Sequence, residues 1–450
     1  MSTKTNSIKP SGMKTFMVMW VGQLVSLLGS AMSGFAIPIW LFGETERVQE
    51  LALLGLAFML PLIIMSPIAG TIVDRNNRKA MMMLSDLAAG LTTIAIFILM
   101  ATDSLEIWHL YITSAINGTF QTFQWPAYSA AISVMIPKEQ YGRAHGLTSL
   151  AKNGSEIFAP LLAGALLGVI GLQGILLIDI VTFTFAIVTL LLIHVPDPPS
   201  TTEGKQGEGS LWQESLYGFQ YILQRPSLLG LQLVFLVGNF TIMLAFTTLP
   251  AMILARTDQN STIFAWVSAA GAVGGVIGGL LMSVWGGPKR RVHGVLGGWA
   301  ASGVLGVTFV GIGQHWVIWA VSLFIGTGLI PIINGSNQAI WQAKVAPDVQ
   351  GRVFSIRRLI AWVSNPLSRL LAIPLADKLL EPAMQEGGSL TNLFGQVVGT
   401  GPGAGMALIF VFAGMVASLV GLGGYLFPAI RNAEDILPDH DTMVEDDASD

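Results

Sequence analysis

Long apolar stretches alternate with short polar ones along the whole chain. Twelve of them hold the roughly 20 apolar residues that a helix needs to cross a hydrocarbon core about 30 Å thick. They run over 15–43, 51–73, 79–101, 106–135, 143–170, 173–195, 227–254, 261–285, 292–312, 315–344, 352–376 and 403–428. No stretch alternates apolar and polar residues as barrel strands do. The pattern predicts an all-α membrane protein of twelve transmembrane helices. Residues 196–210 interrupt it with Pro, Gly, Ser and Glu, a linker composition. Then Leu211, Trp212, Tyr217, Phe219, Ile222 and Leu223 fall on one rough helical face. That spacing predicts an amphipathic helix on the membrane surface, with the start of the seventh span as the alternative.

The linker, 196–226, separates an N-terminal six-helix bundle (1–195) from a C-terminal one (227–430). The halves echo each other. NGTFQ at Asn117 recurs as NGSNQ at Asn334, each in the fourth span of its half. PKEQYGR at Pro137 recurs as PDVQGR at Pro347, each before the fifth span. The last 20 residues, 431–450, hold eight acidic residues and are expected to form a disordered tail.

Composition agrees with a bilayer environment. Of the 450 residues 52% are hydrophobic and 11% charged, with a mean hydropathy of +0.64, whereas a soluble domain carries about 25% charged residues. The absence of cysteine excludes disulfides, thiol chemistry and Cys-based metal sites. The first apolar run is too long for a signal sequence and is expected to stay as a span. With the N-terminus inside, inner segments hold eighteen of the 23 Lys and Arg and outer loops hold Arg47, Arg256 and Lys378. This asymmetry predicts that both termini are cytoplasmic. Lys152 and Arg369 are left within spans.

The densest charge between two spans is GTIVDRNNRK, Gly70 to Lys79. Gly70-x-x-x-Asp74-Arg75-x-x-Arg78-Lys79 resembles the loop between the second and third helices of the major facilitator superfamily. WVGQLVSLLGS at Trp20, FQWPAY at Phe123, GR at Gly142 and GRVFS at Gly351 resemble its drug–proton antiporter branch, which includes macrolide efflux proteins and enterobactin exporters. The resemblance implies two pseudo-symmetric six-helix bundles. It also implies a latch in which the motif meets the eleventh helix, making Arg352 the added partner of Asp74. A glycine at 70 would let that helix approach closely, and a carboxylate at 74 suits a helix N-terminus. A plain positive-inside anchor would account for the bases but not for Gly70 or Asp74. The matching loop of the second half, GGPKRRVHG, keeps the bases and lacks the acid, so the latch is expected on one side.

Charges within spans need a reason, because each costs several kcal/mol in hydrocarbon. Glu156 lies 13 residues past Arg143, about 20 Å along the helix, with Lys152 one turn before it. Two readings stand side by side: a carboxylate that carries the exchanged proton, and a static Lys152–Glu156 bridge. Arg369 would pair with Glu156 or meet substrate. Asp86, near the inner surface, would support the loop bases or carry protons. Asp179 is expected at the solvated outer rim. Family architecture places the first, fourth, seventh and tenth spans around the path, and the eleventh adds Trp362 and Asn365. The cavity candidates are therefore Gln23, Ser26, Asn117, Gln121, Gln124, Trp125, Asn239, Phe240, Met243, Asn334, Asn337, Gln338, Trp341, Trp362 and Asn365.

No nucleotide-binding loop, metal cluster or nucleophile–base set is visible, so an enzyme, a cofactor and a nucleic-acid partner are not expected. The resemblance implies a monomeric exporter in the bacterial inner membrane that exchanges protons for a hydrophobic or amphipathic molecule. A siderophore or other endogenous metabolite is the alternative cargo, and a non-transporting scaffold the alternative class.

Overall fold

The computed structural model describes residues 12–198, 201, 204–205 and 209–440. Every expected span is helical. The first four are α1 (Gly12–Thr45), α2 (Val48–Arg75), α3 (Arg78–Ala101) and α4 (Ile107–Met135). The fifth and sixth form α5 (Tyr141–Leu192), broken at Gly171, whose φ of 63° lies in the left-handed region that glycine tolerates. The linker ends in α6 (Leu211–Leu223). The second half follows as α7 (Pro226–Arg256), α8 (Ser261–Trp285), α9 (Arg291–Ile312), α10 (Trp316–Lys344), α11 (Gln350–Pro374) and α12 (Ala404–Gly424). A π-helical turn at Ser302–Thr308 interrupts α9, and another at Leu375–Leu380 extends α11.

Side chains punctuate the helices where the composition allows. Asn77 accepts from the Ala80 N–H at 3.0 Å and starts α3 directly after the polar loop. Asn260 accepts from Thr262 and Ile263 to start α8. Ser210 and Gln213 form a reciprocal capping box on α6. Prolines inside α1, α2, α4, α5, α7 and α10 are tolerated because helices in lipid keep the rest of their backbone bonds internally.

Each half is its own bundle. In the first, α1 and α3 pack on α5, and α2 on α4; in the second, α8 and α9 pack on α10, and α7 on α11 and α12. The halves meet along two lines, α2 with α11 and α5 with α8. Small residues permit this. A Cβ on Gly70 would lie 2.0 Å from the Gly351 carbonyl oxygen. On α8, Gly274 and Gly278 lie against the α10 backbone, while Gly275 and Gly279 lie against Asn153 and Leu150 of α5. One glycine-rich helix thus packs both inside its half and across the divide.

Two expectations change. The apolar face assigned to α6 is divided. Tyr221 and Ile222 are buried against protein, and Trp212, Leu216, Phe219 and Leu223, spaced as one helical stripe, point away from it. The helix uses its polar Glu214 and Ser215 to dock on α2, which composition does not reveal. The segment 431–440, assigned to a disordered tail, is also folded. Ala433–Ile436 is helical, and Asp435 with Asp439 beyond it pair with bases of the second and first halves respectively. The remaining ten residues of the expected tail lie outside the described residues.

Candidate functional site

Two adjoining regions carry the unusual chemistry. The first lies at the end of the molecule that bears the basic loops. Helix α11 starts at Gln350, so its first N–H groups have no partner within the helix. The Asp74 carboxylate supplies it from α2: the Gly351 N–H donates at 2.7 Å and the Arg352 N–H at 2.9 Å. The Arg352 Nε stands 3.4 Å from the same carboxylate, whose side chain is fully buried. Asp74 is therefore an N-cap delivered from the opposite half, made possible by the close approach at Gly70.

The neighbouring bases are also engaged. Arg78 donates to the Ala130 carbonyl at 2.7 Å and, across the divide, to the Pro347 carbonyl. Lys79 donates to the Ile193 carbonyl at 2.8 Å and so caps the end of α5. Arg75 donates to Glu214 at 2.7 Å, and Arg352 reaches the same glutamate at 3.6 Å. Glu214 was not found from sequence, because a single acid on a linker helix carries no signal of its partner. Burial pushes its carboxyl up, but the Arg75 hydrogen bond, the Gly209 N–H and the Arg352 charge outweigh it and hold the group below the usual 4.5.

The second half repeats the arrangement with borrowed acids. Arg291 donates to the Lys138 carbonyl across the divide at 2.7 Å. Gly142 approaches the Gly286 carbonyl as Gly70 does Gly351. The missing acid comes from the C-terminal segment. Glu434 accepts from the Val292 N–H at the start of α9, Asp435 pairs with Arg290, and Asp439 bridges Lys138 and Lys344. Burial raises the Asp439 carboxyl, yet the two lysines hold it below its ordinary value. Further bonds cross at the same end: Ser133 with Gln350, His145 with Gln342, and Gln342 with the Ser129 carbonyl.

The second region is a cavity of about 580 Å³ between the halves, within the range of small-molecule sites. Its wall includes the candidates Gln23, Gln121, Gln124, Trp125, Asn239 and Asn334, together with Trp20, Phe235, Gln232 and Tyr128. A second cavity of about 490 Å³ inside the first half shares Gln23, Gln121 and Gln124 with it and takes in Ser26 and Asn117. Several candidates lie elsewhere. Asn337 and Trp341 are buried and bonded to each other at 3.0 Å, and Gln338 is buried against Arg357. Phe240, Met243 and Asn365 are not on the cavity wall; helix rotation turns them aside. The Trp362 side chain lies outside the described residues.

The charged candidates are rearranged most. Lys152 and Glu156 stand 3.9 Å apart on the cavity wall, with side chains 71% and 64% exposed, so neither is the buried charge expected. The α5 face bearing Thr148, Ala151 and Ser155 turns them into open space. Arg369 is exposed, off the cavity wall and not ion-paired to Glu156. In its place Arg357 and Arg358, expected among the inner-loop bases, line the cavity. Asp86 supports no loop base. It accepts from Gln23 at 2.8 Å and Gln124 at 2.9 Å, and Gln124 also donates to Gln23 at 2.9 Å. Asp179 is buried rather than solvated, accepting from Ser30 at 2.9 Å and Thr93 at 3.0 Å. Those hydroxyls come from α1 and α3, two helices that sequence distance keeps far from α5.

Residues 19–368 match the model of the family described as Major Facilitator Superfamily. Macrolide efflux protein A of Streptococcus pyogenes is 27% identical over 81% of this chain and 90% of its own. Multidrug efflux pump Tap of Mycolicibacterium fortuitum is 24% identical over 78% and 86%. Among solved structures, a bacterial homologue of the iron transporter ferroportin in an outward-facing state superposes with a TM-score of 0.64 at 14% identity, covering 91% of this chain and 98% of that one. The E. coli fucose:proton symporter gives 0.61 at 12% identity, over 90% and 99%.

Proposed function

The chain belongs to the Major Facilitator Superfamily, and from that premise we propose that it exports an amphipathic small molecule from a bacterial cell by proton antiport. It is a multi-pass membrane transporter and not an enzyme. The observation that carries the export reading is the amide- and aromatic-lined cavity between the halves, shut at the basic end by bonds between them. Relatives named for macrolide and multidrug efflux support the direction and the kind of cargo.

In this reading the basic end faces the cytoplasm of the inner membrane, with both termini inside, and the cavity opens outward. The bundles 1–195 and 227–430 rock as units, joined by 196–226. Gly70, Asp74, Arg75, Arg78, Lys79 and Arg352, with Glu214, form the latch. It holds while the cavity is open to the outside and parts when substrate enters from within.

Asp86 couples the proton to the cargo. As a carboxylate it accepts from the amide N–H groups of Gln23 and Gln124, and Gln124 also donates to the Gln23 amide oxygen, so both amides are held away from the substrate path. Protonated, it becomes a donor, and the two amides turn their N–H groups to the substrate path. Cargo and proton thus compete for one set of hydrogen bonds. Purified protein in vesicles with an imposed pH difference tests this. We expect a transported compound to stimulate proton flux, and Asp86→Asn to abolish the stimulation while downhill exchange of the compound persists. Wild-type proton coupling in Asp86→Asn would remove Asp86 from the mechanism. No flux with any of a broad compound set would remove export.

A further inference from the structure

The charged side chains on the central cavity wall are Lys152, Glu156, Arg357 and Arg358. Three are cations and one is an anion. Asp86 stands behind Gln23 and Gln124, its carboxylate already occupied by both amides. From this imbalance we infer that the cavity holds an anionic headgroup: the exported compound is an amphiphile that carries a carboxylate, sulfonate or phosphate, bound by Arg357 and Arg358. The inference rests on the export reading and names its substrate class.

The geometry around the two arginines is that of a prepared anion site. Arg357 donates to the buried Gln338 at 2.5 Å, and its guanidinium carbon lies 4.9 Å from the centre of the Trp341 ring. Arg358 lies 5.2 Å from the centre of the Trp125 ring. Among the described residues Arg357 makes no ion pair, so an amide and an aromatic face orient it without neutralising it. A guanidinium has five N–H donors in a planar fork that matches a carboxylate or phosphate. A charge in a span without a carboxylate partner is costly, and a bound anion would remove that cost. Arg357 and Arg358 are five and six residues beyond the latch residue Arg352, roughly 8–9 Å deeper along α11. The headgroup would therefore sit at the closed end of the cavity, and the apolar body would lie along Trp20, Leu24, Leu27 and Phe235. The Lys152–Glu156 pair on the opposite bundle is open enough to adjust, with Lys152 turning to the anion.

The test is equilibrium binding of three probes to the purified full-length transporter. Each carries a dansyl group on a six-carbon chain, ending in a carboxylate, a carboxamide or a trimethylammonium. Energy transfer from the cavity tryptophans reports occupancy. We expect the carboxylate to bind at least ~10-fold tighter than the amide, the ammonium to bind weakest, and added salt to reduce the difference. Arg357→Gln with Arg358→Gln should bring the carboxylate down to the amide, and the double lysine variant should retain part of the preference. Arg369→Gln, off the cavity wall, should leave all three affinities unchanged. Size-exclusion profile and circular dichroism establish that the variants are folded. Equal affinities, preference for the ammonium, no binding of any probe, or a carboxylate preference that survives in the double glutamine variant would overturn the anion site. Vesicle transport separates the two readings. Movement of the amide or ammonium with the carboxylate left behind overturns the anion site and leaves export standing. Carboxylate-selective binding without movement of any probe supports the anion site and counts against export.

Discussion

Asp74 does two jobs at once. It satisfies two backbone N–H groups that α11 cannot satisfy itself, and it faces the guanidinium of Arg352 with no exposure to solvent. Hydrogen bonds to a charged acceptor are worth about 1.5–3 kcal/mol. Asp74→Asn keeps the shape but points an NH₂ group at one of the two N–H donors. We expect the closed basic end to lose about that much, a shift of ~10-fold or more in its population, with transport falling similarly and insertion into the membrane normal. Transport at wild-type rate in Asp74→Asn would show that the clasp does not gate the cycle. The bases around it behave as structure more than as membrane anchors, because Arg78, Lys79 and Arg75 each find a protein acceptor.

At the scale of elements, backbone approach decides what side-chain charge can do. The Asp74 contacts with α11 form because α2 and α11 touch at Gly70, where a Cβ would meet the Gly351 carbonyl at 2.0 Å. Gly70→Ala should hold the two helices apart at the closed end and cost transport as severely as loss of the acid. Gly164→Ala, in open space on α5, should be close to neutral. Measured transport rates at equal membrane content compare them, and equal behaviour would mean that close approach is not required. The C-terminal segment is the counterpart for the second half. The α8–α9 loop carries no acid, and Glu434, Asp435 and Asp439 supply acidic partners from a distant part of the sequence. Helix α6 joins the two functions, with Glu214 in the clasp and the stripe of Trp212, Leu216, Phe219 and Leu223 facing outward, as a helix at a lipid surface would need.

For the whole molecule, the bonds between the halves at Asp74, Arg78, Ser133, His145 and Arg291 all lie at the basic end. In the proposed orientation the cavity is reachable from outside. The natural absence of cysteine allows a direct test. Ala361→Cys, on the cavity wall, should react with a membrane-impermeant maleimide added outside. Ser133→Cys, buried at the closed end, should be protected from it, and adding Asp74→Asn should slow the labelling at 361. Labelling of both positions at equal rates from the inner side would reverse the assignment.

Sequence alone settled what depends on local composition. Apolar runs of spanning length, the division between the runs 143–170 and 173–195 and the polar linker need no distant contact, because hydrocarbon forces each backbone group to bond within its own helix. The Gly70–Asp74 motif was legible too, since its residue types are unusual between two spans. Tertiary structure decided which face each helix turns inward, and charge placement follows from that. Rotation about a helix axis is set by packing with partners on other helices, tens of residues or more away, which no spacing within one span encodes. That is why Glu156 opens to the cavity, Asp179 is buried by hydroxyls of α1 and α3, Asp86 holds two glutamines, and Arg357 and Arg358 replace Arg369 on the wall.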